Sequence, residues 1–349
     1  MRRKAGIWQR GDTGPRILIA LCLAAAVLIG GGCGSEALED GEINSGERRL
    51  KVAATLFPYY DFTRQVGGDL VDLELIVPAG MDSHSFEPTP ADMRKIQEAD
   101  ILICNGGAME HWVSQVLEAI DQRELRVVTM TDYVDLAEEE LVEGMEGDDH
   151  DHHDFREGWK HDHGEETGHV QDPEYDEHIW TSPRNAVIFS RVIRDTLAEE
   201  DPDHEDEYRA GCESYERQLT ELHRGFSEVA EKRKRNTVIV GGKFPFRYLA
   251  EEYGFDYRAA FSGCSTDTEP SARTIAYLID KVREEETPAV YYLELTSSRV
   301  AEIIGEETGA VPLLLHSCHN VTRRELESGV TYVDLMRQNI ENLRKGLDE

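Results

Sequence analysis

Between Asp206 and Arg235 the chain places apolar side chains on one face only. Tyr208, Cys212, Tyr215, Leu219, Leu222, Phe226 and Val229 follow one another at spacings of 4, 3, 4, 3, 4 and 3, which aligns them as a single stripe on an α-helix. Acidic residues crowd the start of the segment and "EKRKR" closes it, the polarity a helix dipole favours. The spacing predicts one helix over 204–235, about 48 Å long at 1.5 Å per residue. A stripe of that length has to be covered. A second copy in a coiled coil and the chain's own lobes are the two ways to cover it. With only about three heptads and a folded segment on either side, the stripe reads as an internal spine, and the protein as a monomer.

The flanking segments share one grammar. Short apolar runs that end in Gly, Asn or Asp alternate with helical stretches in "LKVAATLFPYYDFTRQVGG", "VDLELIVPAG", "ADILICNGGAMEHWVSQVLEAI" and "RVVTMTD". The pattern restarts in "NTVIVGGKFPFRYLAEEYGF" and continues through "YRAAFSG", "PAVYYLEL" and "VPLLLHS". Such alternation predicts α/β architecture with mostly parallel sheets. The expected organisation is two similar α/β lobes, 50–200 and 236–349, joined by the rigid helix 204–235, with a cleft between them.

The N-terminus has its own layout: a basic stretch, the apolar run "ILIALCLAAAVLIGGGC", then a polar segment. Residues 1–32 read as a signal peptide of the lipoprotein type, Cys33 as the lipidated residue, and 33–49 as a flexible tether. Gly30 stands where such signals usually carry Leu, so an ordinary signal peptide or a single membrane anchor also fits. All three place the folded part outside the cytoplasmic membrane, on its outer face. The formal net charge of -33, from 37 basic and 70 acidic residues, excludes nucleic acid as a partner and draws cations toward the surface.

Metal-capable residues gather where open α/β sheets present ligand sites, at the C-terminal ends of strands. His84 lies in "PAGMDSHSFEPTPADM" after one apolar run, and His178 precedes a helix start in "YDEHIWTSPRNA". His316, Cys318 and His319 cluster in "LLLHSCHNVT", and Cys264 stands in "AAFSGCSTDTEPSA". Cys104 and Cys212 fall in apolar patterns and read as small buried hydrophobes. A supply of imidazole and thiolate suits Zn²⁺ better than the harder Mn²⁺, Mg²⁺ or Ca²⁺. Such ligands bind metal only when deprotonated, so affinity is expected to fall below about pH 6.5.

These loops carry a resemblance. "PAGMDSHSFEPTPADM", "DEHIWTSPRNA", "FRYLAEEYGF" and "EPSARTIAYLIDKV" resemble, in order over about residues 50–345, four segments of the zinc- and manganese-binding solute-binding proteins of bacterial metal ABC transporters. The resemblance implies two lobes around a backbone helix, with metal held in the cleft. It also implies a lipid-anchored receptor, not an enzyme, that passes Zn²⁺ as cargo to the permease and ATPase subunits of an importer. The family's first two metal-binding histidines correspond to His84 and His178. Its third falls on Lys243, which when protonated cannot ligate, and its fourth position, usually a carboxylate, falls on His316. The substitute has to come from Cys264, Cys318, His319 or Glu269. Two arrangements stay open: a thiolate from Cys264 or Cys318 beside His84, His178 and His316, or a Cys264–Cys318 disulfide with an all-histidine site that takes in His319.

A second concentration of histidine lies in 147–170: His150, His152, His153, His161, His163 and His169 sit in a stretch rich in acid and poor in apolar residues. Ordering such a segment costs about 1–2 kcal/mol per residue. It therefore reads as an accessory, low-affinity metal-collecting loop. A manganese receptor or a surface adhesin of the same fold is the alternative reading. A secreted zinc hydrolase is a more distant one, since no "HExxH" or comparable motif is present.

Overall fold

The computed structural model describes residues 48–120, 124–146, 175–264 and 269–348. The first lobe runs β1 Leu50–Ala54, α1 Phe57–Gly67, β2 Val71–Leu75, α2 Pro90–Glu98, β3 Ile101–Cys104, α3 His111–Ala119 and β4 Arg126–Thr129, followed by α4 Pro183–Glu200. Helix α5, Glu205–Lys232, leads into the second lobe. There follow β5 Thr237–Phe244, α6 Arg247–Tyr253, β6 Asp256–Ser262, α7 Ala272–Glu284, β7 Ala289–Tyr292, α8 Arg299–Thr308, β8 Val311–Leu314, α9 Arg323–Glu327 and α10 Tyr332–Leu347.

Each lobe holds one four-stranded sheet, ordered β2-β1-β3-β4 in the first and β6-β5-β7-β8 in the second. Every pairing is parallel. The two sheets therefore repeat one topology, as the repeated grammar predicts. Central strand β3 is buried along its whole length as "ILIC", as expected for a parallel strand covered on both faces. Helix starts are written locally: Thr89 with Asp92 and Thr331 with Asp334 close capping boxes on α2 and α10, and Ser182 caps α4 ahead of Pro183.

The buried residues of α5 are the seven of the predicted stripe. The helix packs on α1 and α4 on one side and on α10 on the other, so its stripe is covered within the chain. One continuous apolar core runs from Val52 in the first lobe through Leu222 to Leu347 in the second. Two glycines permit the approach. A Cβ on Gly211 would lie 2.4 Å from the Val66 carbonyl oxygen, and one on Gly225 would lie 2.7 Å from Ile340 Cδ1.

A strap crosses from the first lobe to the second ahead of the histidine-rich stretch. Glu146 pairs with Phe261 on the free edge of β6, its N–H donating to the Ala260 carbonyl at 2.8 Å. Its carboxylate accepts the Ser271 N–H at 2.8 Å and the Thr274 hydroxyl. The signal segment, Cys33 and the histidine-rich loop 147–170 lie outside the described residues.

Gly211→Ala separates packing from propensity. In an exposed helix the change would gain up to about 1 kcal/mol. Here the methyl meets backbone, and overpacking of that kind costs about 1–3 kcal/mol. Chemical denaturation is expected to show net destabilisation, and a more stable variant would refute the close packing of α5 on α1.

Candidate metal centre

Three loops bring three imidazoles together. His84 sits in the turn Ser83–Ser85, where Asp82 Oδ1 accepts its N–H at 2.9 Å. His178 stands just before the turn Ile179–Thr181 that feeds α4. Asp176 Oδ1 accepts both its N–H, at 2.8 Å, and its Nδ1–H, at 3.0 Å. A carboxylate that holds the Nδ1 proton leaves Nε2 with its lone pair free for a cation. His319 comes from the loop after β8. Its ring stacks on Trp180 at 5.5 Å and 26°, and its Nε2 hydrogen-bonds the Ser83 hydroxyl across the cleft.

The ring centroids form a near-equilateral triangle: His84–His178 6.0 Å, His84–His319 5.7 Å and His178–His319 5.9 Å. Three imidazoles on one tetrahedral zinc, at about 2.1 Å per bond, hold their centroids roughly 5 Å apart. The triangle is wider than a closed site: its nitrogens do not all lie within 4.8 Å of one another, against roughly 3.4 Å on a tetrahedral zinc, so closing on an ion needs the loops to approach or the rings to turn by more than about an ångström. The adjoining cleft is a cavity of about 590 Å³, with Lys243, Phe261, Glu269, Tyr292 and Leu295 in its walls.

A second grouping overlaps the first. Among the described residues, Asp176, His178 and Cys264 are the three whose donor atoms lie within 4.8 Å of one another. Asp176 is 2% exposed and already committed to the Nδ1 side of His178. That grouping is therefore the support behind His178, whereas the triangle meets at the cavity.

Burial first, then the neighbouring His178 and Lys243, pulls the pKa of His84 from its ordinary value down to about 4, against the opposing pull of Asp82. Burial, His178, His84 and Lys243 together hold His319 well below the usual imidazole range. These rings are kept neutral, which is the form that accepts a cation.

A family model described as zinc-uptake complex component A, periplasmic (ZnuA), matches residues 52–346. The chain belongs to this family. It is 31% identical over 325 residues to the high-affinity zinc uptake system protein ZnuA of Bacillus subtilis, covering 93% of this chain and 96% of that protein. It is 29% identical over 332 residues to the zinc-binding lipoprotein AdcA of Streptococcus pneumoniae. That match covers 95% of this chain and 61% of AdcA, so the chain spans less than two thirds of that relative. The Zn(II)-bound ZnuA-like domain of S. pneumoniae AdcA superposes with a TM-score of 0.68 at 26% identity, over 86% of this chain and 100% of that domain. The metal-dependent lipoprotein YcdH of B. subtilis gives 0.69 at 28%, with the same coverage. The laminin-binding protein Lmb of Streptococcus agalactiae, at 22% identity and 0.67, shares the fold. The ZnuA family is one of solute-binding receptors.

His84 and His178 border the cavity, and the ring that joins them there is His319, where the sequence pointed to His316. His316 is 1% exposed and turned inward: its Nδ1 accepts the Cys318 N–H at 2.9 Å, and its Nε2 is buried without a partner. Cys318 is fully buried in the core, where burial, then Glu294 and Asp61, push its thiol well up. Cys264 and Cys318 are free thiols, so the structure has no disulfide between them. Cys264 is half-buried beside His178, its thiol pushed up by burial first and then by Asp176 and Glu139. Glu269 lines the cavity but is exposed. Asp176 was not singled out from the sequence, although a carboxylate two residues before a ligating histidine is a readable signal.

The depressed imidazoles revise the pH expectation. With His84 held down to about 4, this ring meets little proton competition for zinc from neutrality to about pH 5 and meets it steeply below that. The metal-free protein behaves differently. Its unfolded chain takes up a proton on His84 near pH 6.5, whereas the folded cleft refuses it until about 4. Stability is thus complete above about 6.5 and declines as pH falls toward 4. Competition titrations with a chromophoric chelator and denaturation across the same range would read both. Asp176→Asn is expected to weaken zinc about 10- to 100-fold by loosening His178, and unchanged affinity would remove Asp176 from the site.

Proposed function

We propose that the chain is an extracytoplasmic zinc receptor that captures Zn²⁺ between its lobes on His84, His178 and His319 and delivers it to an ABC-type importer. The observation that supports this best is the triangle of imidazoles with centroids 5.7–6.0 Å apart. His84 and His319 are held neutral, and the three rings come from both lobes and border a cavity open to cargo. An all-imidazole set favours zinc over manganese, which prefers oxygen donors.

Anchoring through a lipidated Cys33 would hold the receptor at the outer face of the membrane, near permease and ATPase subunits that finish transport. The histidine-rich loop 147–170 joins the strap at Glu146, and His178 stands nine residues beyond His169. In this reading the loop raises the local zinc concentration, and the cleft supplies affinity. Binding and release are the whole chemistry, with no bond broken. Relatives with the words laminin-binding in their names share the fold at 22–23% identity, which gives no ground for adhesion here.

Zinc stoichiometry and affinity test the reading directly. Residues 34–349 are expected to hold one tight zinc plus weaker ions, and deletion of 147–170 to remove only the weaker ones. His84→Ala/His178→Ala and His319→Ala are each expected to abolish the tight ion, while His316→Ala leaves all three rings in place. Loss of the tight zinc on loop deletion, with retention in the histidine variants, would place the site in the loop and refute the proposal.

A further inference from the structure

The cavity is far larger than its cargo. An ion and one water need a few tens of cubic ångströms, since a water's share of liquid volume is about 30 Å³; the space beside the triangle is about 590 Å³. Its walls also suit an ion poorly. Met81 is 41% and Leu295 47% exposed, and both line the cavity. Leu295 sits at φ +55°, a left-handed conformation that disfavours a residue with a Cβ by roughly 1–2 kcal/mol. Exposed apolar surface on a strained loop calls for an organic group to cover it.

Charge points the same way. Lys243 reaches the wall because β5 breaks register between Val240 and Lys243, a bulge at Gly241–Gly242 that re-aims the side chain. Its ammonium makes no hydrogen bond or ion pair with any described residue, although its charge acts on both His84 and His319. The other cation of the wall, Arg299, is engaged by Glu302 and Glu306, each at 3.6 Å. Of the wall carboxylates, Glu294 is committed to the N–H of Ser317, at 2.8 Å, and to its hydroxyl. The nearest carboxylate, Asp176, stands behind the His178 ring, and the Lys243 ammonium, with no partner among the described residues, adds a positive charge on the cavity side in a half-buried space, where charges are weakly screened.

We infer that the cleft takes zinc together with a small monocarboxylate carrying an apolar tail: its carboxylate completes the coordination of the ion and pairs with Lys243, and its tail covers Met81 and Leu295. This rests on the proposed zinc site and names what else that site admits. No bond is made or broken beyond coordination.

Co²⁺ in place of Zn²⁺ gives a visible spectrum that reports each change in the metal's ligands. The cobalt-loaded protein is titrated with acetate and with isovalerate. Both are expected to shift the spectrum saturably, isovalerate at the lower concentration. Lys243→Met is expected to keep one tightly bound metal per chain and to raise the half-saturating anion concentration about tenfold or more, the worth of a charge-assisted hydrogen bond. An unresponsive spectrum, with one metal still bound and lost in His84→Ala/His178→Ala, would overturn the inference and leave the zinc site standing. Anion sensitivity that appears only in Glu269→Gln or Cys264→Ser would also overturn it, by showing that the chain itself fills the fourth position. Cobalt binding indifferent to the histidines would instead refute the site on which the inference rests.

Discussion

The seven apolar side chains along α5 are buried against α1 and α4 of one lobe and α10 of the other. Because one core passes through them from Val52 to Leu347, the lobes cannot separate without exposing it. A Gly211 that lets the helix backbone approach the Val66 carbonyl is part of the same constraint. A hinge needs a few residues free to change φ and ψ with little else to break, and α5 offers a continuous hydrogen-bonded helix of 28 residues instead. Adjustment at the cleft therefore falls to loops at the strand ends, and those loops carry the three histidines.

Those features that follow from side-chain period were legible before any coordinates. The stripe of α5 recurs residue for residue in the burial pattern, and the repeated strand–helix grammar reappears as two sheets of the same order. His84 and His178 were legible because each sits in a loop whose neighbours reproduce a known pattern. The choice between His316 and His319 was not. It depends on the path of three residues, in which Cys318 adopts φ +60° and Asn339 clamps the His316 N–H and carbonyl at 2.7 Å each. That path turns His316 and the Cys318 thiol toward the core and His319 toward the cavity. Local backbone handedness of a non-glycine residue leaves no trace in hydropathy or spacing. Cys318 misled for a related reason: a cysteine at a strand end reads as a ligand, whereas this one packs in the core as a small hydrophobe.

The surface and the cleft obey opposite electrostatic rules. Outside, an excess of acid attracts cations over a distance limited by salt to about 8 Å. Inside, a site made of anions would bind protons and harder cations readily, but one made of buried imidazoles refuses protons and selects borderline metals. Mutual repulsion among His84, His178 and His319, with Lys243 adding to it at His84 and His319, is costly only if the rings are charged. Crowding therefore keeps His84 and His319 neutral and receptive at neutral pH, and Asp176 supplies its negative charge from behind, through His178 Nδ1.

The loop that carries His319 also ties the lobes beside the site. Asn320 Nδ2 donates to the carbonyls of Pro78, at 2.8 Å, and Met81, at 2.7 Å, which fixes the far lobe's loop three residues ahead of His84. Trp180, stacked on His319, donates its indole N–H to the Ser317 carbonyl at 2.8 Å, so the His178 segment is joined to the same turn. The His84 and His178 segments are thus both tied to the turn that carries His319, and the contraction needed to close on an ion has to move the three loops together. Coupling of that kind makes capture depend on all three rings at once.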